Sequence, residues 1–256
     1  MAIYELPKGH LSPTQVSSYL RCPRAYYYAY VENIRVAPPL ALVEGGTHHE
    51  VLKINNQHKI EKQQDLETSF MLTVFKDLFS ENKREIGDWE GEDEKSVLSR
   101  GENIIKNYMT LLAPEIKPVK AEQEVCVDIN GVPVQMFPDL VEEDSVIDYK
   151  VVGRPKTQRD ADVDLQLGMY ALAEKKEKVS FVFLLKSASS SARTVGRVPS
   201  KVDASRLFIV EQVVTSVADA ISRGAFPMCD ASIVYTCSPE RCGFWPMCKG
   251  KREKRH

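Results

Sequence analysis

The sequence predicts a mixed α/β domain, on three observations. Residues 119–151 read as three consecutive antiparallel strands joined by two turns, Asn130-Gly131 and Glu142-Glu143-Asp144-Ser145. Helical periodicity flanks this block on both sides, over 40–112 and 160–176. The run Lys178-Val179-Ser180-Phe181-Val182-Phe183-Leu184-Leu185 is nearly all apolar, the pattern of a strand interior to a sheet. The resulting order is helix, three strands, helix, strand.

Size and charge bound the function. A chain of 256 residues with 43% apolar side chains buries a substantial core, and the expectation is one domain over 1–256. Thirty-four basic against 36 acidic residues give a net charge of −2, which excludes an overtly basic nucleic-acid binder. Any contact with a polyanion therefore needs a local patch. The tail Lys249, Lys251, Arg252, Lys254 and Arg255 reads as a solvated charge run. No window reaches eighteen apolar residues and the start lacks the basic-then-apolar order of a signal peptide, so a cytoplasmic protein with no membrane partner is expected.

The elements follow in order. Ser12-Pro13-Thr14-Gln15 opens a helix, with Ser12 as N-cap and Pro13 at the first helical position, and Cys22-Pro23 ends or bends it. A short helix over 24–30, crowded with Tyr26, Tyr27, Tyr28 and Tyr30, completes an N-terminal helical segment over 11–36. Pro38-Pro39 punctuates, and Glu44-Gly45-Gly46-Thr47-His48-His49 begins a helical region over 40–112. Phe70, Met71, Val74, Phe75, Leu78 and Phe79 form one apolar stripe; Val97, Leu98, Ile104, Ile105, Tyr108 and Leu112 form another. Trp89-Glu90-Gly91-Glu92 reads as a loop between them. Strands over 119–129, 132–141 and 145–151 follow, and with the helix and strand that succeed them they make a core over 119–186. Between these lies a cationic loop with Arg154, Lys156 and Arg159, suited to a phosphate or simply to solvent. A polar connection is expected over 187–199 and a helix over 202–223, closed by Gly224.

The chemistry concentrates in the strand block. Side chains alternate along a strand, so Asp148 and Lys150 share a face. Asp139, just before the turn, comes alongside Asp148 on an antiparallel neighbour. Two close carboxylates call for a cation, and hard oxygen ligands suit Mg²⁺ or Mn²⁺. Glu122 or Glu124 on the first strand can face the same pocket. Pro138-Asp139, eight intervening residues and Asp148-Tyr149-Lys150 together resemble the active-site signature of the PD-(D/E)xK nuclease superfamily, with Asp148 where many members carry Glu. The fold this implies is that superfamily's restriction-endonuclease-like α-β-β-β-α-β core, here with a helical insertion. Two further stretches resemble its RecB-like branch. One is Gly45-x3-His49, implying that His49 ligates the metal, with His48 as the alternative register. The other is Gln166-x3-Tyr170, implying side chains that help position DNA. The resemblance implies a metal held by His49, Asp139, Asp148 and the Tyr149 carbonyl, with Lys150 at the reacting phosphate.

Six cysteines in a reducing compartment point to metal or redox chemistry. Cys237, Cys242 and Cys248 fall within twelve residues of a Pro/Gly-broken loop that ends the 201–248 region, and Cys22 is the natural fourth donor. Four thiolates suit Zn²⁺ or a [4Fe–4S] cluster, and spacing does not separate them. One distant N-terminal cysteine and a C-terminal triplet resemble the iron–sulfur staple of AddB-type and CRISPR adaptation nucleases, although Cys237 and Cys242 are farther apart than is common there. Cys126 and Cys229 are expected to be plain buried thiols.

The expectation is a Mg²⁺- or Mn²⁺-dependent DNA exonuclease of phage or bacterial type with a cysteine-held [4Fe–4S] cluster. The resemblance implies DNA as partner and work in recombination or repair, with no residue that assigns a helicase or recombination partner. Two other classes stay open: a non-catalytic nucleic-acid-binding module with a zinc knot, and an iron–sulfur electron carrier.

Overall fold

The computed structural model describes residues 4–186 and 194–249. The chain divides into two compact units, one of Pro38–Val125 and Phe137–Ala204, the other of Met1–Ala37, Cys126–Met136 and Ser205–His256.

The first unit is built on a five-stranded sheet: β1 (Lys120–Ala121), β4 (Leu140–Val141), β5 (Ser145–Val152), β6 (Lys178–Leu185) and β7 (Val195–Lys201), hydrogen-bonded in that order. β4 pairs antiparallel with both β1 and β5, β6 lies parallel to β5, and β7 returns antiparallel along β6. The parallel pair needs a crossover, supplied by α6 (Gln158–Val163) and α7 (Leu165–Glu174). Three helices, α3 (Leu40–Lys62), α4 (Thr68–Asn82) and α5 (Glu94–Leu111), carry the two apolar stripes into a shared core. Leu52, Phe75, Phe79, Ile104 and Tyr108 meet Leu140, Ile147, Tyr149, Val182 and Leu184 there. Burial of each such side chain is worth about 1.5–3 kcal/mol. Gly101 lets α4 and α5 approach, since a Cβ there would stand 2.0 Å from the Phe75 ring.

A buried polar chain fixes β5 against these helices. The Tyr149 hydroxyl lies 2.8 Å from that of Tyr108 and accepts from Asn56 at 3.1 Å. Because β5 side chains alternate, a strand pinned through Tyr149 turns Asp148 and Lys150 to the opposite face, toward α7.

The structure changes three expectations within this part of the chain. The strands expected over 119–129 and 132–141 each break: only Lys120–Ala121 and Leu140–Val141 stay in the main sheet. Glu122, at a φ of 46°, makes the first break. The helix expected over 160–176 is interrupted at Asp164, whose extended backbone N-caps α7 while its side chain accepts from Leu167 N–H. Residues 195–199, expected in a connection, belong to edge strand β7; 187–193 of that connection lie outside the described residues.

The second unit holds the pieces removed from the sheet. β2 (Val125–Ile129) and β3 (Val132–Met136) form a two-stranded hairpin around Asn130 and Gly131, both at positive φ as a tight turn requires. α1 (Pro13–Arg21), capped by Ser12, leads into α2 (Pro23–Tyr26) and a π-helical turn over Tyr27–Val31. Tyr26 is fully buried and stacks on Tyr30 and Phe226, so it is packing material, while Tyr27, Tyr28 and Tyr30 stay half-buried. α8 (Ala204–Ser222) and the short α9 (Trp245–Cys248) complete the described elements; from 251 onward the basic tail lies outside them.

Candidate active site

β4, β5, α3 and α7 bring the predicted residues together in the first unit. Asp139 stands at the entry to β4, Asp148 and Lys150 on one face of β5, and His49 three turns into α3. His49 Nδ1 lies 3.2 Å from Asp139 Oδ1, while Asp139 Oδ2 accepts the Tyr149 amide at 2.7 Å. That second bond holds the Asp139 carboxylate in place and leaves its other oxygen facing the histidine. Asp148 is 1% exposed, and neither of its carboxylate oxygens has a well-directed hydrogen-bond partner. Its one close charge is the Lys150 ammonium, 2.7 Å from Oδ2.

Electrostatics follow from this crowding. Burial pushes the Asp148 carboxyl up to about 7, with Asp139 adding to the rise against the opposing pull of Lys150 and His49. Burial works against a charged His49, yet the Asp139 contact wins and its pKa is raised. Lys150 shows the same contest, burial lowering and Asp148 raising, with a net rise.

Glu122 completes the acidic rim. Its carboxylate, His49 and Asp139 offer ligand atoms all within 4.8 Å of one another. The left-handed backbone at Glu122 is held by its amide, which donates to the carbonyls of Pro138 and Asp139 at 3.1 and 3.2 Å. Glu122 is also paired with Lys53 at 2.8 Å, whereas Glu124 is exposed. His49, Asp139 and Glu122 make a close donor set of one imidazole and two carboxylates, and the buried Asp148 carboxylate, ion-paired with Lys150, lies beside it without belonging to that close group. That set fits a hard divalent cation.

On the α7 side, Lys150 Nζ donates to Gln166 Oε1 at 3.1 Å, Gln166 Nε2 donates to the Tyr170 hydroxyl at 2.7 Å, and Tyr170 donates to the Phe137 carbonyl at 3.2 Å. The i, i+4 spacing on α7 makes this relay possible. Of the two adjacent histidines, His49 faces the carboxylates. His48 is fully buried against Phe75, its Nδ1 2.7 Å from the Glu44 carbonyl.

A family model for the PD-(D/E)XK nuclease superfamily matches residues 10–249. The chain belongs to that superfamily. The crystal structure of a candidate exonuclease from Eubacterium rectale shares the fold of this PD-(D/E)XK chain at a TM-score of 0.58, with 12% identity over 96% of this chain and 88% of that one. A second solved structure, that of SSO0001, overlays at a TM-score of 0.42 with 12% identity, over 94% and 86% of the two chains. Among curated proteins none matches the sequence.

The cysteines of this PD-(D/E)XK chain gather in the second unit. Cys22, Cys237, Cys242 and Cys248 line one cavity of about 240 Å³, beside Tyr28, Phe244 and Trp245. Cys22 also caps α2, its sulfur accepting from Ala25 N–H at 3.4 Å. Cys229, expected to be an unrelated buried thiol, lines the same cavity and hydrogen-bonds both Cys22 and Cys237. Burial and those two thiols push its pKa up to about 12. Its distance in sequence from the triplet gave no signal of this. Cys126, also expected to be buried, is exposed on β2.

Proposed function

We propose that this chain is a divalent-metal-dependent deoxyribonuclease, an exonuclease acting on DNA ends or single strands in recombination, repair or phage DNA processing. The observation that carries the reading is Asp148: a carboxylate 1% exposed, without directed hydrogen-bond partners, beside Lys150 and across from Asp139. A fold tolerates such a group where function requires it.

His49, Asp139, Asp148 and the Tyr149 carbonyl would hold Mg²⁺ or Mn²⁺, and Glu122, whose carboxylate lies within 4.8 Å of the His49 and Asp139 ligand atoms, would be a further ligand. Bound there, the cation supplies Lewis acidity toward a phosphate and acidifies water. The chain's own residues do the rest. Asp139, fixed by the Tyr149 amide, and Asp148, fixed by burial, keep their free oxygens aimed into the site. Lys150 offsets negative charge developing on the phosphate, and Gln166 and Tyr170 hold its ammonium in that orientation. Preorganised groups of this kind are typically worth about 10²- to 10³-fold in rate.

The cysteine cavity supports a [4Fe–4S] cluster on Cys22, Cys237, Cys242 and Cys248. Among the described residues no three thiols stand mutually within 4.8 Å, whereas four sulfurs on one zinc, at about 2.3 Å each, would be closer than that. Thiols spread around a cavity suit the larger inorganic core.

The test is cleavage of end-labelled single- and double-stranded DNA, with free and blocked ends, by anaerobically purified protein in Mg²⁺, Mn²⁺ or EDTA. Metal-dependent shortening from free ends is expected. Binding without cleavage in either metal would instead establish a non-catalytic module.

A further inference from the structure

We infer that Lys156 is a second phosphate-binding cation of this site, holding a backbone phosphate of the DNA next to the one at Lys150; the inference rests on the nuclease reading above. Lys156 lies in the loop between β5 and α6. Gly153, Arg154, Pro155, Thr157, Gln158 and Arg159 are exposed there, but Lys156 is half-buried. Its side chain folds back onto the sheet, with Nζ 5.0 Å from the centre of the Phe181 ring. Lys150 Nζ stands 5.8 Å from the centre of the same ring. Phe181, fully buried on β6, is the register partner of Asp148, so the ring lies directly beside the acidic site.

This placement asks for an anion. Two ammonium groups gathered around one ring repel each other, and an aromatic face returns only about 0.5–1 kcal/mol for an exposed cation. Lys150 has Asp148 as its counter-charge. Lys156 has no carboxylate within 4.0 Å among the described residues. The nearby Asp160 hydrogen-bonds the Thr157 amide and pairs with Arg154 at 3.5 Å, and it feels the Lys156 charge only at longer range than an ion pair. Arg154, 73% exposed, pairs with Asp160 at 3.5 Å and Arg159 is exposed, whereas the Lys156 ammonium lies against the Phe181 ring beside Asp148 and Lys150. A polyanion whose repeating charges are phosphates satisfies both lysines at once, one per phosphate.

The experiment uses the full chain in its anaerobically purified form. Binding of a short fluorescein-labelled oligonucleotide, single-stranded and duplex, is measured by anisotropy with Ca²⁺ in place of Mg²⁺, between about 50 and 200 mM KCl. Lys156→Ala and Lys156→Gln are expected to flatten the slope of log K against log salt by about 0.7 on single strands or 0.9 on duplex, the value of one lost phosphate contact. Lys156→Arg should retain the wild-type slope. KM in Mg²⁺ should rise for Lys156→Ala while kcat holds, with an unchanged melting temperature. A merely structural lysine would move the melting temperature and leave the slope alone. Wild-type cleavage with an unaltered slope in Lys156→Ala overturns the Lys156 assignment only. A wild type that neither binds nor cleaves DNA overturns both this inference and the nuclease reading.

Discussion

Gln166 reaches β5 from the neighbouring helix: its side-chain oxygen accepts from the Lys150 ammonium at 3.1 Å while its amide donates to Tyr170. The lysine is thus oriented by a glutamine whose own orientation is fixed, since an amide with both ends engaged cannot flip without losing two bonds. Gln166→Ala is expected to lower kcat by about 10- to 100-fold, matching the roughly 1.5–3 kcal/mol of a hydrogen bond to a charged group. Tyr170→Phe should cost less, about tenfold or under, because it frees Gln166 without removing it. Single-turnover rates at matched melting temperature check both, and wild-type turnover in Gln166→Ala would remove the relay from the mechanism.

Asp148→Ala and Lys150→Ala should each reduce cleavage by about 10²- to 10³-fold or more while DNA binding in Ca²⁺ persists. Neither side chain contributes to the apolar core around Phe75 and Tyr108. Circular dichroism with a cleavage assay on the same preparations separates loss of chemistry from loss of fold.

Acid should stabilise the metal-free protein through Asp148. Burial raises its carboxyl to about 7 from an ordinary value near about 3.9, so between those limits the folded chain holds a proton that the unfolded chain has released. The sign of the linkage makes stability fall as pH rises through that window and level off above it. Asp148→Asn cannot lose such a proton. Its melting temperature in EDTA should exceed that of the wild type above about pH 7 and converge with it near about pH 4. Saturating Mg²⁺ should narrow the gap, because the cation takes over as partner of the ionised carboxylate. An identical pH dependence for the two proteins in EDTA would contradict the burial argument.

The adjacent histidines should fail differently. His49→Ala is expected to raise the Mg²⁺ concentration for half-maximal activity by about 10- to 100-fold, the range seen even for groups that only orient a metal ligand. His48→Ala empties a fully buried position against Phe75 and should cost about 2–4 kcal/mol of stability, with little change in metal requirement. Magnesium titrations and denaturant melts on both variants decide the matter, and the reverse pattern would move the metal-facing residue by one.

Iron and acid-labile sulfide should vanish from Cys22→Ala, Cys237→Ala, Cys242→Ala and Cys248→Ala, with melting temperature falling by roughly 10 °C, at about 2–4 °C per kcal/mol for a chain of this size. Cys126→Ala and Cys229→Ser should keep both. Cys229 gives the sharper control, since it hydrogen-bonds two of the four expected ligands. Zinc in place of iron would keep the four-thiolate site and refute the cluster.

The proposed site residues were legible because each announces itself over a short span. Asp148 and Lys150 share a strand face by period two, and Gln166 and Tyr170 share a helix face by period four. Asp139 lies one turn away in sequence. What sequence hid were backbone events and long-range meetings. Nothing in Glu122 signals a left-handed residue, yet that residue ends β1 and sends the next hairpin elsewhere. The Ser-rich connection masked an edge strand, since Val195–Lys201 earns its place by pairing along β6 rather than by β-propensity. Cys229 joined the other thiols through tertiary placement alone.

The cysteine-bearing unit is discontinuous, drawn from Met1–Ala37, Cys126–Met136 and Ser205–His256. A ribosome adding about 5–20 residues per second finishes the sequence of the sheet-bearing unit before it begins the last of those segments. The acidic site can therefore be assembled on a nascent chain whose Cys22 still lacks its distant companions. On the cluster reading, iron delivery then belongs after translation, and a shortage of it would leave a population with a folded sheet-bearing half and an unclosed remainder, the form most open to proteolysis.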